Sequence, residues 1–229
     1  YHANRVNSLL SKMMNLAEKW GLRLDGSNPC RHVEKFPEKR RERKLTSDEL
    51  ANLGKALNEV EKEGKELAGV IPAIRLLLFT GCRRGEILTL RWEHVDLANK
   101  CLRLPDSKTG AKVVPLNQPA IEILEGLEGN DPDWVIPGRK KETHLVNLAK
   151  PWRRIREKAE LDDLRIHDLR HQFASTGVDL HEPLFLIGQA LGHADASTTE
   201  RYSHAGAAPI RETSERIGEH IAAALKGSS

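Results

Sequence analysis

The sequence predicts a mostly α-helical fold carrying a small three-stranded antiparallel sheet (α+β). Two patterns predict it. Apolar residues recur at intervals of three and four through most of the 229 positions, the spacing that lines one face of a helix. From residue 95 to 116 the character changes to short apolar runs separated by turn chemistry, as strands in a meander are. With 39% hydrophobic and 30% charged residues, the chain can build one sizeable core, which excludes a disordered or fibrous protein.

The elements follow in order. Residues 3–20 read as one amphipathic helix, with Val6, Leu9, Leu10, Met13, Leu16, Ala17 and Trp20 as its stripe and Gly21 as its stop. One helix has nothing of its own to bury that stripe against. It is therefore expected to end a domain that continues upstream, and an opening Tyr1 in place of Met fits a piece of a longer protein. Residues 22–45 carry Gly, Asn and two Pro, then a charged stretch, Arg31 to Lys44, with seven Lys or Arg against three Glu. That stretch suits an exposed linker, either a solvated tether or a contact for a phosphate backbone. Thr46-Ser47-Asp48-Glu49 is a capping-box pattern opening a helix to about Glu63. A second helix is expected from about Leu67 to Phe79, a break at Gly81, and a short helix from Arg83 to Leu90.

Val95-Asp96-Leu97, Cys101-Leu102-Arg103-Leu104 and Lys112-Val113-Val114-Pro115-Leu116 are the three strands, with turns at 98–100 and 106–110. Helices are expected at about 118–127, 145–160, 168–178, 183–191, 195–202 and 209–225. Ile210, Ile217, Ile221 and Leu225 form the stripe of the last one, a face that ordinarily docks on its own core, although a stripe does not name its partner.

Several function classes drop out. No apolar run reaches the ~20 residues that span a bilayer, since Arg75 interrupts the best candidate, Ala68 to Phe79. Cys30, Cys82 and Cys101 form no CxxC pair and cannot all be bridged, so a reduced, cytosolic setting is expected. A formal net charge of +3 says little about nucleic acid, and any electrostatic case must rest on local clusters.

Such clusters exist. Arg83 and Arg84 follow directly on the Gly81 break. A guanidinium there opposes the helix dipole and needs a partner, either an anion or the carboxylate of Glu86 three residues on. Lys108 sits at a hairpin tip, in Asp106-Ser107-Lys108-Thr109-Gly110. A solvated lysine is the ordinary occupant, but a tip can also reach into a ligand. In His167-Asp168-Leu169-Arg170-His171, three cationic or titratable side chains share one helical face at i, i+3 and i+4. Zinc fits them poorly, because no Glu follows His167 and a guanidinium between the imidazoles repels a dication. Leu191-Gly192-His193 ends a helix, and Arg201-Tyr202 follows. Tyr202 is the sole internal tyrosine, a core residue or a nucleophile whose ordinary pKa of about 10 needs neighbouring cations.

Taken in order, these segments resemble the tyrosine recombinases, the phage-integrase family. The resemblance rests on Thr80-Gly81-Cys82-Arg83-Arg84-Gly85-Glu86, the hairpin Lys108-Thr109-Gly110, His167-Asp168-Leu169-Arg170-His171, and Leu191-Gly192-His193 running to Arg201-Tyr202, over roughly residues 40–225. It implies that family's catalytic-domain fold over 46–229, including the helix at 209–225. Residues 1–21 would be the last helix of the upstream core-binding domain, and 22–45 the basic linker.

The resemblance also implies roles. Arg83 and Arg170 would clamp the scissile phosphate, Lys108 would protonate the leaving 5′ oxygen, and His167 would assist proton transfer and hold the phosphate. His193 would fill the position that is His or Trp in relatives, and Tyr202 would be the nucleophile. Glu86 matches an acidic support residue; His171 fits the pattern without a firm role. Gln172 stands where Thr is common and Cys82 where Leu or Met is, and neither removes a catalytic group.

The implied protein is a site-specific recombinase of a prophage or mobile element, cytoplasmic and without cofactor or metal. It would act on double-stranded DNA as a homotetramer joined through the C-terminal segment, with accessory DNA-bending proteins as possible partners. The chemistry agrees, since Arg, Lys and imidazoles can neutralise a five-coordinate phosphorus, and a covalent phosphotyrosine conserves bond energy for rejoining. The alternatives are a type IB topoisomerase, a catalytically silent DNA-binding module, and a plain helical interaction domain.

Overall fold

The structure, a computed structural model, describes residues 2–38, 43–105, 110–140, 142–192 and 207–227. It divides into two compact units, residues 1–42 and 43–229.

In the first unit, α1 (His2–Lys19) turns its polar face to the chain that follows it. Asn4 is buried and donates to the Phe36 carbonyl at 2.8 Å and to Glu38 at 2.7 Å, while accepting from the Phe36 N–H at 2.9 Å. Asn28, also buried, donates to Asn15 at 2.7 Å and to the Ser11 carbonyl at 3.2 Å. Val6, Leu9, Leu10, Met13 and Trp20 of the apolar stripe are exposed. The stretch expected as a linker thus divides, with the residues up to 42 in the unit of α1 and Arg43 to Leu45 in the second.

The second unit is mostly helical around one core, as the periodicity predicts. Its helices are α2 (Ser47–Glu63), α3 (Val70–Thr80), α4 (Arg84–Leu88), α5 (Gln118–Glu125), α6 (Ala149–Lys158), α7 (Asp168–Asp179), α8 (Leu184–Ala190) and α9 (Ala207–Lys226). The Thr46 capping box forms: its hydroxyl accepts from the Glu49 N–H at 3.2 Å, and the Glu49 carboxylate accepts from the Thr46 N–H at 2.8 Å. Arg43 pairs with Glu49 at 2.6 Å and with Asp163 at 3.0 Å, anchoring the start of the unit to the loop before α7. The central helix is α3, buried except at Pro72 and at Arg75, which pairs with Glu61 across to α2 at 2.8 Å.

The sheet is the expected antiparallel meander, β1 (Val95–Asp96), β2 (Cys101–Leu104) and β3 (Lys112–Pro115), in sequential order. Leu102 pairs with both Val95 and Val114, and Leu104 pairs with Lys112. Leu102, Leu104 and Val114 are buried, and Arg103 on the open face bridges to Asp96 at 2.9 Å.

Some boundaries differ from expectation for identifiable reasons. The helix expected from 145 begins at Ala149, because Leu145 donates to the Ile136 carbonyl at 2.9 Å and the Asn147 side chain accepts from the Ala149 N–H at 2.7 Å. The short helix after Gly81 ends at Leu88, and a 3-10 turn, Trp92–His94, follows. The helix expected at 195–202 lies outside the described residues.

The last helix packs on its own domain, against α2, α3, α5, α7 and α8. Ile217 and Ile221 are fully buried there, each contributing about 1.5–3 kcal/mol. Asn117, itself fully buried, ties the helix in. Its amide donates to the Phe79 carbonyl at 2.7 Å and the Ser214 carbonyl at 3.2 Å, and its oxygen caps α5 through the Ala120 N–H at 3.2 Å. Glu182 does the same from the turn before α8, accepting from Thr213 at 2.7 Å and from Arg216. Among the described residues no helix is long and apolar enough to cross a membrane.

Candidate active site

The site is built around the end of α3. Gly81 terminates that helix in the left-handed region at φ 61°, and its N–H donates to the Leu77 carbonyl at 3.1 Å. A Cβ here would stand 2.5 Å from a Leu191 methyl and 3.0 Å from the Phe173 ring, so both backbone and space require glycine. Thr80 holds the turn from inside, donating to the Leu76 carbonyl at 2.6 Å and accepting from the Cys82 N–H at 3.2 Å.

The turn delivers Arg83 to the start of α4 in an extended conformation. Glu86 then reaches back. One carboxylate oxygen accepts from the Arg83 N–H at 2.8 Å, and the other accepts from its guanidinium at 2.9 Å. Of the two partners the sequence allowed Arg83, the carboxylate is therefore present, and it uses only the Nη1 edge of the fork. Glu86 also accepts from the Lys112 ammonium at 2.8 Å, a pair with side chains only 8% and 6% exposed. Burial pushes the Glu86 carboxyl up, but the bonds from Lys112 and Arg83 outweigh it and hold the group below the usual carboxylate range.

The second arginine comes from α7. Asp168, buried in its first turn, accepts from the Arg165 N–H at 2.9 Å and sets the helix start. Arg170, 7% exposed, donates through Nη1 to the Gly81 carbonyl and through Nη2 to the Leu191 carbonyl at 3.2 Å. Burial lowers its pKa, and the Arg83 charge acts in the same direction. The His167 and His171 rings meet edge to face, 5.0 Å between centroids. Partial burial draws the His167 pKa below its ordinary value, followed by the charges of His171, Arg170 and, more weakly, Arg83. Arg83, Arg170 and His167 thus feel one another's charge, although 87 residues separate the two arginines in sequence (170 − 83). A cationic corner of this kind suits a compact anion, which two guanidiniums grip through planar forks.

The structure brings together Arg83, Glu86, His167, Arg170 and His171. Lys108, His193 and Tyr202 lie outside the described residues. Sequence reasoning missed Lys112 and the two carbonyls, of Gly81 and Leu191, that hold Arg170. The signal for Lys112 was available, since a lysine opening an otherwise apolar strand is out of place unless it is paired. Carbonyl acceptors leave no trace in residue identity. The departure at Gln172 has its own function: it accepts from the Leu45 N–H at 2.7 Å and donates to Thr176 at 3.2 Å, joining the start of the unit to α7.

The fold is that of solved integrases. Lambda integrase bound to DNA superposes with a TM-score of 0.62 over 92% of this chain and 74% of that one, at 19% identity. The XerH site-specific recombinase, in a pre-cleavage complex with its difH substrate, gives a TM-score of 0.54 at 26% identity, covering 72% of this chain and 51% of that one. The phage integrase family model matches residues 43–208, and the chain belongs to that family. Among curated relatives, a shufflon-specific DNA recombinase of Escherichia coli is 34% identical, covering 86% of this chain and 49% of the relative. The tyrosine recombinase XerC of Erythrobacter litoralis is 32% identical over 62% of this chain and 48% of the relative. The chain spans about half the length of these relatives.

Proposed function

We propose that this chain carries the catalytic unit of a site-specific DNA recombinase that breaks and rejoins strands through a 3′-phosphotyrosyl intermediate. The observation that carries the reading is the meeting of Arg83 and Arg170 beside His167, from two separate motifs, at a turn only glycine permits. Arg83 and Arg170 clamp the scissile phosphate and neutralise charge as the fifth oxygen bonds to phosphorus. Tyr202 is the nucleophile, and its oxygen displaces the 5′ oxygen, which takes a proton from Lys108 and leaves as a hydroxyl. His167, neutral at pH 7 given its lowered pKa, can accept the tyrosine proton and help hold the phosphate, His193 fills the position that is His or Trp in relatives, and Glu86 and His171 support the site. Return of a 5′-hydroxyl from a partner strand reverses the step, so neither metal nor ATP is needed.

Double-stranded DNA is the substrate, and the protein works in the cytoplasm as a tetramer, with accessory DNA-bending proteins possible at its sites. Residues 1–21 close a core-binding domain that lies upstream, with the basic segment behind it joining the catalytic domain. Neighbours in the fold include a lambda integrase tetramer bound to a Holliday junction, which supports assembly on DNA. Within the single chain, Ile217 and Ile221 of the α9 stripe are buried and Ile210 and Leu225 partly buried, and the tetramer contact is assigned to the C-terminal segment as a whole.

The test is covalent capture. Supercoiled plasmid is incubated with the protein in EDTA, quenched with SDS, and compared with Tyr202→Phe. A DNA–protein adduct that requires Tyr202 is the expected result. An adduct retained by Tyr202→Phe removes the nucleophile assignment, and no adduct from either removes the activity. Relaxation of the plasmid without strand exchange between two sites identifies a topoisomerase instead.

A further inference from the structure

We propose that Lys112 is a positioning residue for the strand-cleavage step, holding Arg83 and the Leu191 carbonyl in register through one buried ammonium. The inference rests on the recombinase reading above and adds a residue to it. Lys112 opens β3, four residues beyond the hairpin lysine, and its ammonium lies 2.8 Å from Glu86 and 3.5 Å from the Leu191 carbonyl. Glu86 in turn holds Arg83 by both its N–H and its guanidinium. The Leu191 carbonyl also receives Arg170, whose other nitrogen holds Gly81. A closed circuit results: Arg83, Glu86, Lys112, the Leu191 carbonyl, Arg170, the Gly81 carbonyl, and back along the chain to Arg83. It joins α4, β3, α7 and the end of α8, and both phosphate-clamping arginines are members.

The glycine after Leu191 is matched to this lysine. Gly192 sits at φ 66°, and a Cβ there would stand 2.4 Å from Lys112 Cδ and 3.2 Å from its ammonium. The lysine stem therefore passes against the backbone one residue before His193. An apolar side chain could fill the same space, and a buried ion pair gives little net stability over such a replacement. What an apolar residue cannot do is share the Glu86 carboxylate. Without Lys112, Arg83 is the one cation bonded to the Glu86 carboxylate among the described residues, and the guanidinium is drawn onto Glu86 and away from a phosphate. Lys112 itself is enclosed and engaged, so the proton for the leaving oxygen is left to Lys108.

The test compares Lys112→Met, Lys112→Gln, Glu86→Gln and the Lys112→Met/Glu86→Gln double variant with the parent. The readouts are the initial rate of adduct formation at saturating supercoiled plasmid, the affinity for a fluorescein-labelled duplex, and the melting temperature. A guanidinium displaced by about 1 Å costs roughly a hundredfold in rate, so Lys112→Met is expected to cleave about ten- to a hundredfold more slowly with duplex affinity nearly unchanged. The double variant is expected to recover melting temperature, because no buried carboxylate is left short of a partner. Its rate should fall no further than that of the slower single variant, since both residues act on Arg83.

A purely structural role predicts the opposite pairing, with rate recovering alongside melting temperature. That result overturns the proposal, as does a parental rate in Lys112→Met or losses that multiply in the double variant. If Lys112→Met does not fold, Lys112→Gln and the double variant, in which no charge is buried alone, carry the same rate comparison. A parent that forms no adduct removes the recombinase reading and this inference with it, whereas an active parent with unaffected variants removes this inference alone.

Discussion

The guanidinium of Arg170 donates to the main-chain carbonyl of Gly81, 89 residues earlier in the chain, and with its second nitrogen to the carbonyl of Leu191. One planar fork thereby sets the spacing between the end of α3 and the end of α8. An ammonium in its place is a single point and cannot span two carbonyls in that plane. Arg170→Lys is expected to keep the positive charge yet lose about a hundredfold or more in adduct formation, the scale seen when one preorganised donor is removed from a transition state. The initial rate of covalent capture measures it, and a wild-type rate would show that charge alone suffices.

Asn117 is the corresponding tie for the last helix. Asn117→Ala strips the cap of α5, worth about 1 kcal/mol, and leaves the Phe79 and Ser214 carbonyls buried without their donor, at about 1–3 kcal/mol more. Denaturant unfolding should report a total loss of about 2–4 kcal/mol. A loss under about 0.5 kcal/mol, the range of surface substitutions, would mean that water replaces the amide.

His167 is expected to titrate below the ordinary histidine value of about 6.5 in the free protein. Burial is the first cause and the charge of His171 the second, so His171→Ala should move the His167 midpoint upward. Imidazole resonances followed by NMR against pH give both numbers, and an unchanged midpoint in His171→Ala would separate the two rings electrically. Because the lowered pKa keeps His167 neutral through pH 7, cleavage that uses it as a proton acceptor should fall only as pH drops through that midpoint.

Acid stability follows from the carboxylates. Glu182 is held below the usual carboxylate range by its hydrogen bond from Arg216, against burial and with help from Thr213. Glu49 is lowered by Arg43 in the same way. A depressed folded-state pKa contributes stability that is whole above the unfolded value of about 4.3 and is lost as pH falls through the folded value. Melting temperature should therefore hold from neutral pH to about 5 and drop below about 4. In Glu182→Gln the neutral-pH value should be lower and the acid fall shallower, and an unchanged slope would assign the acid transition to other groups.

The capping box at Thr46, the stop at Gly81, the meander at 95–116 and the stripe of the last helix were all legible, because each depends on neighbours a few residues away. The late start of α6 was not, since Leu145 continues the apolar period yet is claimed by the Ile136 carbonyl across a loop. Nor did the apolar stripe of α9 name its partner; that choice belonged to Asn117, Glu182 and the space beside Gly218, where a Cβ would stand 2.3 Å from the Asn117 amide.

The candidate site divides along the same line. By itself the sequence determined which side chains are chemically suited to a phosphate, namely Arg83, His167 and Arg170, and that they recur in the order of the phage integrase family, because residue type and local spacing are written in the chain. Only the tertiary structure decided that Arg170 is held by two distant carbonyls, that Glu86 is shared between Arg83 and a lysine of the sheet, and that Gly192 leaves room for that lysine. Those contacts join residues far apart in sequence, and several of their acceptors are backbone carbonyls that every residue possesses. Their positions come from packing, which no local pattern encodes.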